Sequence, residues 1–362
     1  MSFHSPSLAV VVPTYCEAGN VAELARRIDV ALGGTAYEII FVDDDSPDGT
    51  TSIVRGMAAV DPRIRILRRV GRRGLSGAAI EGALSTTAPV VAVMDADLQH
   101  DEALLPAMLA KVTEGADMVV ASRYADGSAA SALSRTRGWG SRVATRWVQR
   151  LLKVEATDPL SGYFMLRRAH WDGLAPRLER DGFKIQMDIL SLAQGKLKLV
   201  EVPTALKPRH SGESKLDALV TLQFGGLLLS RATGGFLPPA FILFALVGTT
   251  GIGTHLIVLH LLTLLGLGFI PAQTIAALIA MTGNFVLNNA ITYRAQRLKG
   301  VAFWRGLVSF YVVCSIGVVG NVGVGTLVLR TDAPVLLAGL AGAFMSAVFN
   351  YAASRALTWR QG

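Results

Sequence analysis

Val93-Met94-Asp95-Ala96-Asp97-Leu98-Gln99-His100 follows Ala88 to Ala92, five residues that are all apolar or Pro. The chain therefore runs out of a buried strand directly into two carboxylates, an amide and an imidazole. Carboxylates two residues apart repel one another and resist desolvation, so they call for a cation or a hydrogen-bonding partner. A hard divalent ion takes oxygen ligands, and Asp97 with Gln99, or Asp95 with Asp97, would supply two while leaving positions open for a diphosphate. The competing reading is a strand-end Asp that caps the next helix, because Asp101-Glu102 opens an apolar-periodic run over residues 104–112. The two readings divide the segment, with Asp101 as the cap and Asp95 to Gln99 as the ion site.

The same strand–loop–helix unit recurs upstream. Residues 8–12 form a short β-branched run followed by Pro13-Thr14-Tyr15-Cys16-Glu17 and a helical pattern over 21–32. Residues 37–42 predict a second strand, ending in Asp43-Asp44-Asp45-Ser46-Pro47-Asp48-Gly49-Thr50, with a helix to about residue 60. A third strand over 64–67 leads through a Gly-rich basic turn, 68–77, into a helix over 77–85. Alternating strands and helices predict a parallel sheet covered on both faces, with ligands beyond the carboxyl ends of the strands. Asp44 or Asp45 would suit a base edge or a ribose hydroxyl, with Tyr15 packed against the base; good turn residues alone would also produce this segment. The basic turn has neither Walker nor dinucleotide spacing. It is either a cationic loop over a phosphate or a solvated loop.

The second half of the chain has a different composition. Charged residues make up 17% of the 362, yet none occurs from Leu237 to Ile291. Stretches of roughly 20 apolar residues span a bilayer, where helices satisfy their own backbone. Four transmembrane helices are expected, at about 238–264, 271–293, 304–329 and 334–357. The segment beginning Asn284-Phe285-Val286-Leu287-Asn288-Asn289 aligns with that beginning Asn350-Tyr351-Ala352-Ala353-Ser354-Arg355 at an offset of 66 residues (350 − 284), as do Gly251 with Gly317 and Phe244 with Phe310. A two-helix hairpin has been duplicated, and both copies cross in the same sense. Asn284, Asn288, Asn289 and Asn350 would bond helices together or line a path for a polar headgroup. Arg294, Arg297, Lys299 and Arg305 lie between the second and third spans, while residues 266–272 are uncharged, so both termini and the first domain are expected in the cytoplasm.

The net charge of +8 suits an anionic lipid surface or a phosphate ligand and requires no nucleic acid. Cys16 and Cys314 imply no disulfide framework, and residues 1–7 contain no signal-peptide core. A strand is expected over 117–121, ending in Ser122-Arg123-Tyr124. On the next helix, 139–154, Trp139, Val143, Trp147 and Leu151 form one stripe and Arg142, Arg146, Arg150 and Lys153 another, the pattern of an interfacial helix. Arg123 and Arg137 would converge on an anionic acceptor. Asp158 to Met165 and Gly182 to Ile185 are further motifs before a strand over 199–203. Arg209 to Lys215 read as a mobile lid or a linker, and 216–236 as a second interfacial helix.

Five motifs in order resemble the dolichyl-phosphate mannose synthase branch of the inverting family 2 glycosyltransferases. They are Pro13 to Glu17, Val42 to Thr50, Asp95 to His100, Ser122 to Tyr124 and Gly212-Glu213-Ser214-Lys215. The resemblance covers about residues 8–215 and implies an α/β GT-A domain with a mostly parallel, Rossmann-like sheet over 1–215. The all-α four-helix membrane part, 237–362, looks like the GtrA-like domain. By resemblance, Pro13, Tyr15, Glu17, Asp44 and Asp95 would contact the nucleotide-sugar donor, joined by Arg209 and Lys215 of the closing loop. Asp95, Asp97 and Gln99 would hold Mg²⁺ or Mn²⁺ with the diphosphate. Arg123, Arg137 and Ser141 would hold the phosphate of a polyprenyl acceptor, with Asp97, Arg123 and Arg137 the catalytic set. The family usually has Asn where this chain has Cys16. The Ser46 to Gly49 segment and His100 resemble the mannose-type enzymes, which favours GDP-mannose.

The chemistry points the same way. A phosphate monoester has a second pKa near 6, so it attacks a sugar carbon at neutral pH without a general base. The absence of a Ser-His-Asp or Cys-His arrangement is consistent with this. The protein's task is to align the nucleophile and neutralise the leaving diphosphate. The alternatives are transfer of glucose or an aminosugar from a UDP-sugar to the same lipid class, and a lipid-sugar transporter or flippase whose soluble half is regulatory. A processive polysaccharide synthase would need a Gln-x-x-Arg-Trp segment and spans on both sides of the catalytic domain, and the chain has neither.

Overall fold

Short β-branched runs bounded by polar loops become strands, and the longer 3.6-periodic runs become helices that cover them. The computed structural model describes residues 6–125, 145–150, 152, 154–180, 182, 184–205, 207 and 218–359. The chain divides into two compact units, Met1–Phe224 and Gly225–Gly362.

In the first unit, β1 (Leu8–Thr14), β2 (Tyr37–Asp43), β3 (Ile64–Arg68), β4 (Val90–Val93), β5 (Met118–Ser122), β6 (Phe164–Arg167) and β7 (Leu199–Pro203) form one seven-stranded sheet in the order β3-β2-β1-β4-β6-β5-β7. The helices are α1 (Val21–Ala31), α2 (Thr50–Val60), α3 (Leu75–Leu84), α4 (Leu105–Thr113), α5 (Arg168–Leu174) and α6 (Ile185–Ala193). Leu8, Val10 and Val12 of β1 face one apolar cluster, with residues of α1, α2 and α4. Ala9 and Val11 face the other, with residues of α3, α5 and α6. A strand buried on both faces needs an unbroken apolar run, which β1 has.

The sheet departs from the expected parallel arrangement at one strand. β6 lies antiparallel between β4 and β5, pairing Val93 with Phe164 and Val119 with Met165. The returning chain thus brings residues 158–163 to the same sheet edge as the ends of β4 and β5. The capping expectation also needs correction. Asp101 stands at the N-cap of a 3₁₀ turn, Glu102–Leu104, but its side chain makes no capping bond. Its carboxylate accepts from Lys207 Nζ at 2.8 Å, a charge-assisted bond that outcompetes a neutral backbone N–H.

Helix α7 (Ala218–Ala232) carries the boundary between units. The second unit contains α8 (Pro239–Leu264), α9 (Phe269–Leu287), α10 (Val301–Leu329) and α11 (Val335–Ala353). Among the described residues, three stretches are long and apolar enough to cross a membrane: Pro239–Leu264, Phe269–Thr292 and Val301–Leu329. The duplication is visible in three dimensions. A π-helical turn extends α9 over Asn288–Thr292, and its counterpart extends α11 over Ser354–Thr358, again 66 residues on (354 − 288). Asn284 presses against Gly251 so closely that an added Cβ would collide with its amide, and Asn350 presses against Gly317 in the same way. Phe244 meets Tyr351 with ring centroids 5.8 Å apart, and the exchanged pair, Phe310 with Phe285, repeats that 5.8 Å spacing. Tyr293 and Trp359, equivalent positions of the two hairpins, stack on each other at 4.2 Å and 11°. Equivalent residues touch each other only near a two-fold axis, so the hairpins are related by a pseudo-two-fold.

Asn289 closes this arrangement. Its Oδ1 accepts the Leu298 N–H at 2.8 Å and the Trp359 indole N–H at 3.0 Å, and its Nδ2 donates to the Leu298 carbonyl at 3.1 Å. Asn289→Ala should cost about 1–3 kcal/mol by stranding those groups. A melting temperature of the detergent-purified chain several degrees below wild type is the expected result; an unchanged one would assign the clasp no weight.

Candidate active site

Three loops leave the carboxyl ends of β1, β2 and β4, and each holds a residue with left-handed backbone: Cys16 at φ 58°, Asp45 at 58° and Leu98 at 60°. Asn and Gly adopt this region more readily than Cys, a backbone reason for the Asn that the resemblance implies at the position of Cys16. The first two loops are stitched together. Cys16 N–H donates to Ser46 Oγ (2.9 Å), Glu17 N–H to Thr50 Oγ1 (3.0 Å) and Ala18 N–H to Asp48 Oδ2 (3.0 Å). Asp43, fully buried, accepts from Thr14 Oγ1, Ser46 N, Ser46 Oγ and Thr51 Oγ1 at 2.6–3.0 Å. Two of the acids in the Asp43 to Asp48 run, Asp43 and Asp48, therefore build the loop itself.

Asp44 is also committed. Its Oδ1 accepts from Arg69 Nη1 at 2.5 Å and its Oδ2 from the Gly74 N–H at 2.7 Å. Burial pushes its carboxyl above the usual range, and the Gly74 and Arg69 bonds offset only part of this. The basic turn is exposed over residues 70–73 but anchored from below by Arg69. Arg69 is buried at 4% exposure, Arg68 pairs with Asp45, Arg72 pairs with Glu81, and the Arg73 guanidinium lies 4.4 Å from the Tyr15 ring centroid. Tyr15 and Arg73 form a cation–π pair beside the loop that carries Pro13 and Glu17. The Glu17 side chain accepts from Asn20 Nδ2 at 2.8 Å.

At the end of β4, Asp95 Oδ2 lies 3.4 Å from His100 Nε2 and packs on Gly162, where a Cβ would sit 2.5 Å from the same oxygen. The Asp95 side chain remains 37% exposed. Asp97 Oδ1 accepts the Gln99 N–H at 3.2 Å, and Gln99 is tied to Lys207 through Nε2 to the Lys207 carbonyl (3.0 Å) and Lys207 N–H to the Gln99 carbonyl (2.8 Å). Among the described residues no group of three or more His, Cys, Asp or Glu side chains is placed to hold a metal. Two carboxylates and an amide fit Mg²⁺ or Mn²⁺ only when phosphate and water fill the remaining positions, the usual pattern for a nucleotide-bound ion.

Arg123, at the end of β5, forms a bidentate pair with Asp158: Nε to Oδ2 at 2.6 Å and Nη2 to Oδ1 at 2.8 Å. Asp158 is fully buried, and its backbone and that of Thr157 are held by Glu201 of β7. Lys184, the N-cap of α6, donates to the Leu160 carbonyl at 3.4 Å, and Gln186 donates to the Asp158 carbonyl at 2.7 Å. Burial pushes the Lys184 ammonium below the ordinary lysine range, and the Asp95 carboxylate pulls it back up. The expected residues Arg137, Ser141, Arg209 and Lys215 lie outside the described residues. Asp158, Gly162, Lys184, Arg69 and Arg73 gain their roles only from the fold, although all five lie inside sequence motifs that stand out on their own.

Strand-end carboxylates, an arginine of the basic turn over the Tyr15 ring and a guanidinium at the end of β5 are carried by one mostly parallel sheet, the GT-A-like domain of a glycosyltransferase by the comparisons that follow. Residues 9–174 match the glycosyl transferase family 2 model, and 243–359 match the GtrA/DPMS transmembrane domain. A dolichol-phosphate mannosyltransferase from Pyrococcus furiosus is 32% identical over 97% of this chain and 99% of its own length. A polyprenol monophosphomannose synthase from Mycolicibacterium smegmatis is 31% identical over 58% of this chain and 80% of its own. Among solved structures, glucosyl-3-phosphoglycerate synthase from Mycobacterium tuberculosis shares the fold, with TM-score 0.50 and 18% identity over 63% of this chain and 80% of that one. The chain belongs to the dolichol-phosphate mannosyltransferase family and is an integral membrane protein.

The contact between Asp95 and Gly162 can be tested directly. Gly162→Ala places a methyl group against the movable end of Asp95, so the fold should tolerate it while the carboxylate turns away. Sugar transfer should fall at least about tenfold, equivalent to about 1.4 kcal/mol of barrier, with melting nearly unchanged. Asp48 behaves differently. Burial pushes its carboxyl up, but the bonds from Thr50 and Ala18 outweigh this and hold it below the usual range. A depressed folded value means its stabilisation is present above about pH 4 and is lost as pH falls through that folded value. Asp48→Asn should lower the melting temperature near neutrality and flatten its acid fall; melting curves of both chains from pH 7 downward would run parallel if the carboxylate contributed nothing.

Proposed function

We propose that this chain is an inverting, metal-dependent transferase that moves mannose from GDP-mannose to a polyprenyl phosphate at the cytoplasmic membrane face. The observation that carries the reading is a match over nearly the whole of both chains to a relative named dolichol-phosphate mannosyltransferase. Pro13, Tyr15, Glu17 and Asp95 serve the donor, together with Arg209 and Lys215. Asp44 serves it indirectly, by fixing Arg69 and the Gly74 turn beneath Tyr15 and Arg73. Asp95, Asp97 and Gln99 hold the divalent ion, which when bound neutralises charge on the leaving diphosphate. Arg123, Arg137 and Ser141 orient the acceptor phosphate.

The reaction needs no protein base. A phosphate oxygen of the dianionic acceptor forms a bond to the anomeric carbon while the bond from that carbon to the diphosphate oxygen breaks, and GDP leaves with the electron pair. Attack opposite the leaving group converts an α-linked donor into a β-linked lipid product. The first domain corresponds to residues 1–215, with interfacial segments at 139–154 and 216–236 and four spans in 237–362. Trp147, 57% exposed, sits on one of these segments with Arg146 and Arg150 also exposed, which suits a headgroup layer. The basic residues Arg294, Arg297 and Lys299 between α9 and α10, with Arg305 in the second turn of α10, support a cytoplasmic catalytic unit.

Purified protein in detergent would be given radiolabelled GDP-mannose or UDP-glucose with a polyprenyl phosphate, with and without Mg²⁺, alongside Asp97→Ala. Metal-dependent mannolipid, reduced by about 100-fold or more in the variant, is expected. Glucolipid instead would reassign the donor, and no lipid product from either nucleotide sugar would refute the proposal.

A further inference from the structure

Arg355 lies in the π-helical turn Ser354–Thr358 that extends α11. At the equivalent position the first hairpin has Asn289 (355 − 289 = 66), whose amide is taken up by the Leu298 backbone and the Trp359 indole. One turn earlier, Tyr351 stands where the first hairpin has Phe285 (351 − 285 = 66). The second copy has thus exchanged a neutral amide and an apolar ring for a cation and a hydroxyl. In a membrane unit such a change is costly without a partner.

The donors are gathered and held. Arg355 Nη1 donates to the Tyr351 hydroxyl at 3.4 Å, which leaves that hydroxyl its own proton to give. The Tyr351 ring is wedged edge-on against Phe241 and Phe244, with centroids 5.4 and 5.8 Å away. Tyr293 comes from the first hairpin, its ring flat on Trp359 and its side chain within electrostatic reach of Tyr351 and Arg355. It is 5% exposed, and among the described residues its hydroxyl finds no hydrogen-bond partner. A buried hydroxyl without an acceptor is unfavourable, and two tyrosine O–H groups beside a guanidinium form a set of donors that an anion with several oxygens would satisfy. Within residues 225–362 the one acid is Asp332, in the turn between α10 and α11 at the other end of the bundle. Leu357, two residues after Arg355, is exposed, so apolar surface adjoins the cation. A ligand with a phosphate at one end and hydrocarbon at the other fits both.

We propose that Arg355, Tyr351 and Tyr293 form a binding site for the phosphate of an anionic glycerophospholipid, created where the second hairpin diverged from the first. The occupant is a bulk membrane lipid, distinct from the polyprenyl phosphate of the transfer reaction: one guanidinium matches the single charge of a phosphodiester. An anionic headgroup fits better than a zwitterionic one, because this rim of the unit carries Arg294, Arg297 and Lys299 and no acid to receive an ammonium.

The test titrates the full chain in detergent with phosphatidylglycerol, phosphatidylcholine or polyprenyl phosphate in separate arms, reading retained lipid by native mass spectrometry and the melting temperature. Wild type should retain phosphatidylglycerol and melt several degrees higher with it than with phosphatidylcholine. Arg355→Gln should weaken phosphatidylglycerol binding by about fivefold or more and remove most of the melting shift, and Tyr293→Phe should weaken binding by about threefold. Arg297→Gln, which removes a cation of the same rim outside the site, should stay within about twofold of wild type. Equal losses in Arg355→Gln and Arg297→Gln would reduce the effect to general surface charge and overturn the proposal, as would a phosphatidylcholine shift equal to that of phosphatidylglycerol. Displacement of phosphatidylglycerol by equimolar polyprenyl phosphate would also overturn it, by giving the site to the acceptor. If Arg355→Gln does not fold, Tyr293→Phe decides alone, since it removes one oxygen from a stacked ring: weakened binding supports the site and unchanged binding refutes it.

Discussion

A carboxylate at the end of a strand buried on both faces must be compensated, and the way each one is compensated decides the layout of the first unit. Asp43 takes hydroxyl and amide donors and becomes the frame of its own loop. Asp44 takes a guanidinium and a backbone N–H, which draws the basic turn down over the β1 and β2 loops. Asp158 takes Arg123. Asp95 is different in kind, because its side chain keeps a large solvent-facing fraction while those of Asp44 and Asp158 are at most 9% exposed. The sealed acids hold the loops and the basic turn in place, while Asp95 keeps access to solvent.

This distinction explains what could be read from the sequence. The alternation of strand and helix, the acids at strand ends and the duplicated hairpin are local or periodic, and each was legible. The antiparallel β6 was not, because Phe164 to Arg167 is a four-residue run inside a polar motif and its orientation depends on where the chain returns. Arg69 was illegible for a related reason: a basic residue in a basic run reads as solvated until its carboxylate, 25 residues away, is located. The Arg123–Asp158 pair bridges 35 residues, and Gly162 matters only because Asp95 leans on it. Family resemblance supplied roles for individual side chains, while the supporting partners came from the fold.

The second unit applies the same economy in an apolar setting. Duplication lets one interaction be used twice, as in the Asn–Gly contacts at Asn284 and Asn350 and the paired π-helical turns. It also lets one position be used against itself, as where Tyr293 meets Trp359. The two copies have diverged where a single role suffices. Asn289 clasps the Leu298 backbone and Trp359, whereas its counterpart in the second copy is Arg355, whose guanidinium reaches the Tyr351 hydroxyl at 3.4 Å.

The buried rings Phe241, Phe244, Phe285, Phe310, Tyr351 and Trp359 lie near the start of α8, the end of α9, the start of α10 and the end of α11. These four helix ends belong to the same side of an antiparallel bundle. At the opposite side, Leu264, Leu265, Phe269 and Ile270 are between 66% and 78% exposed. The buried aromatic cluster thus pins the bundle at one rim. Any sideways displacement of its helices would grow with distance from the aromatic pin and be largest at the turns that join α8 to α9 and α10 to α11.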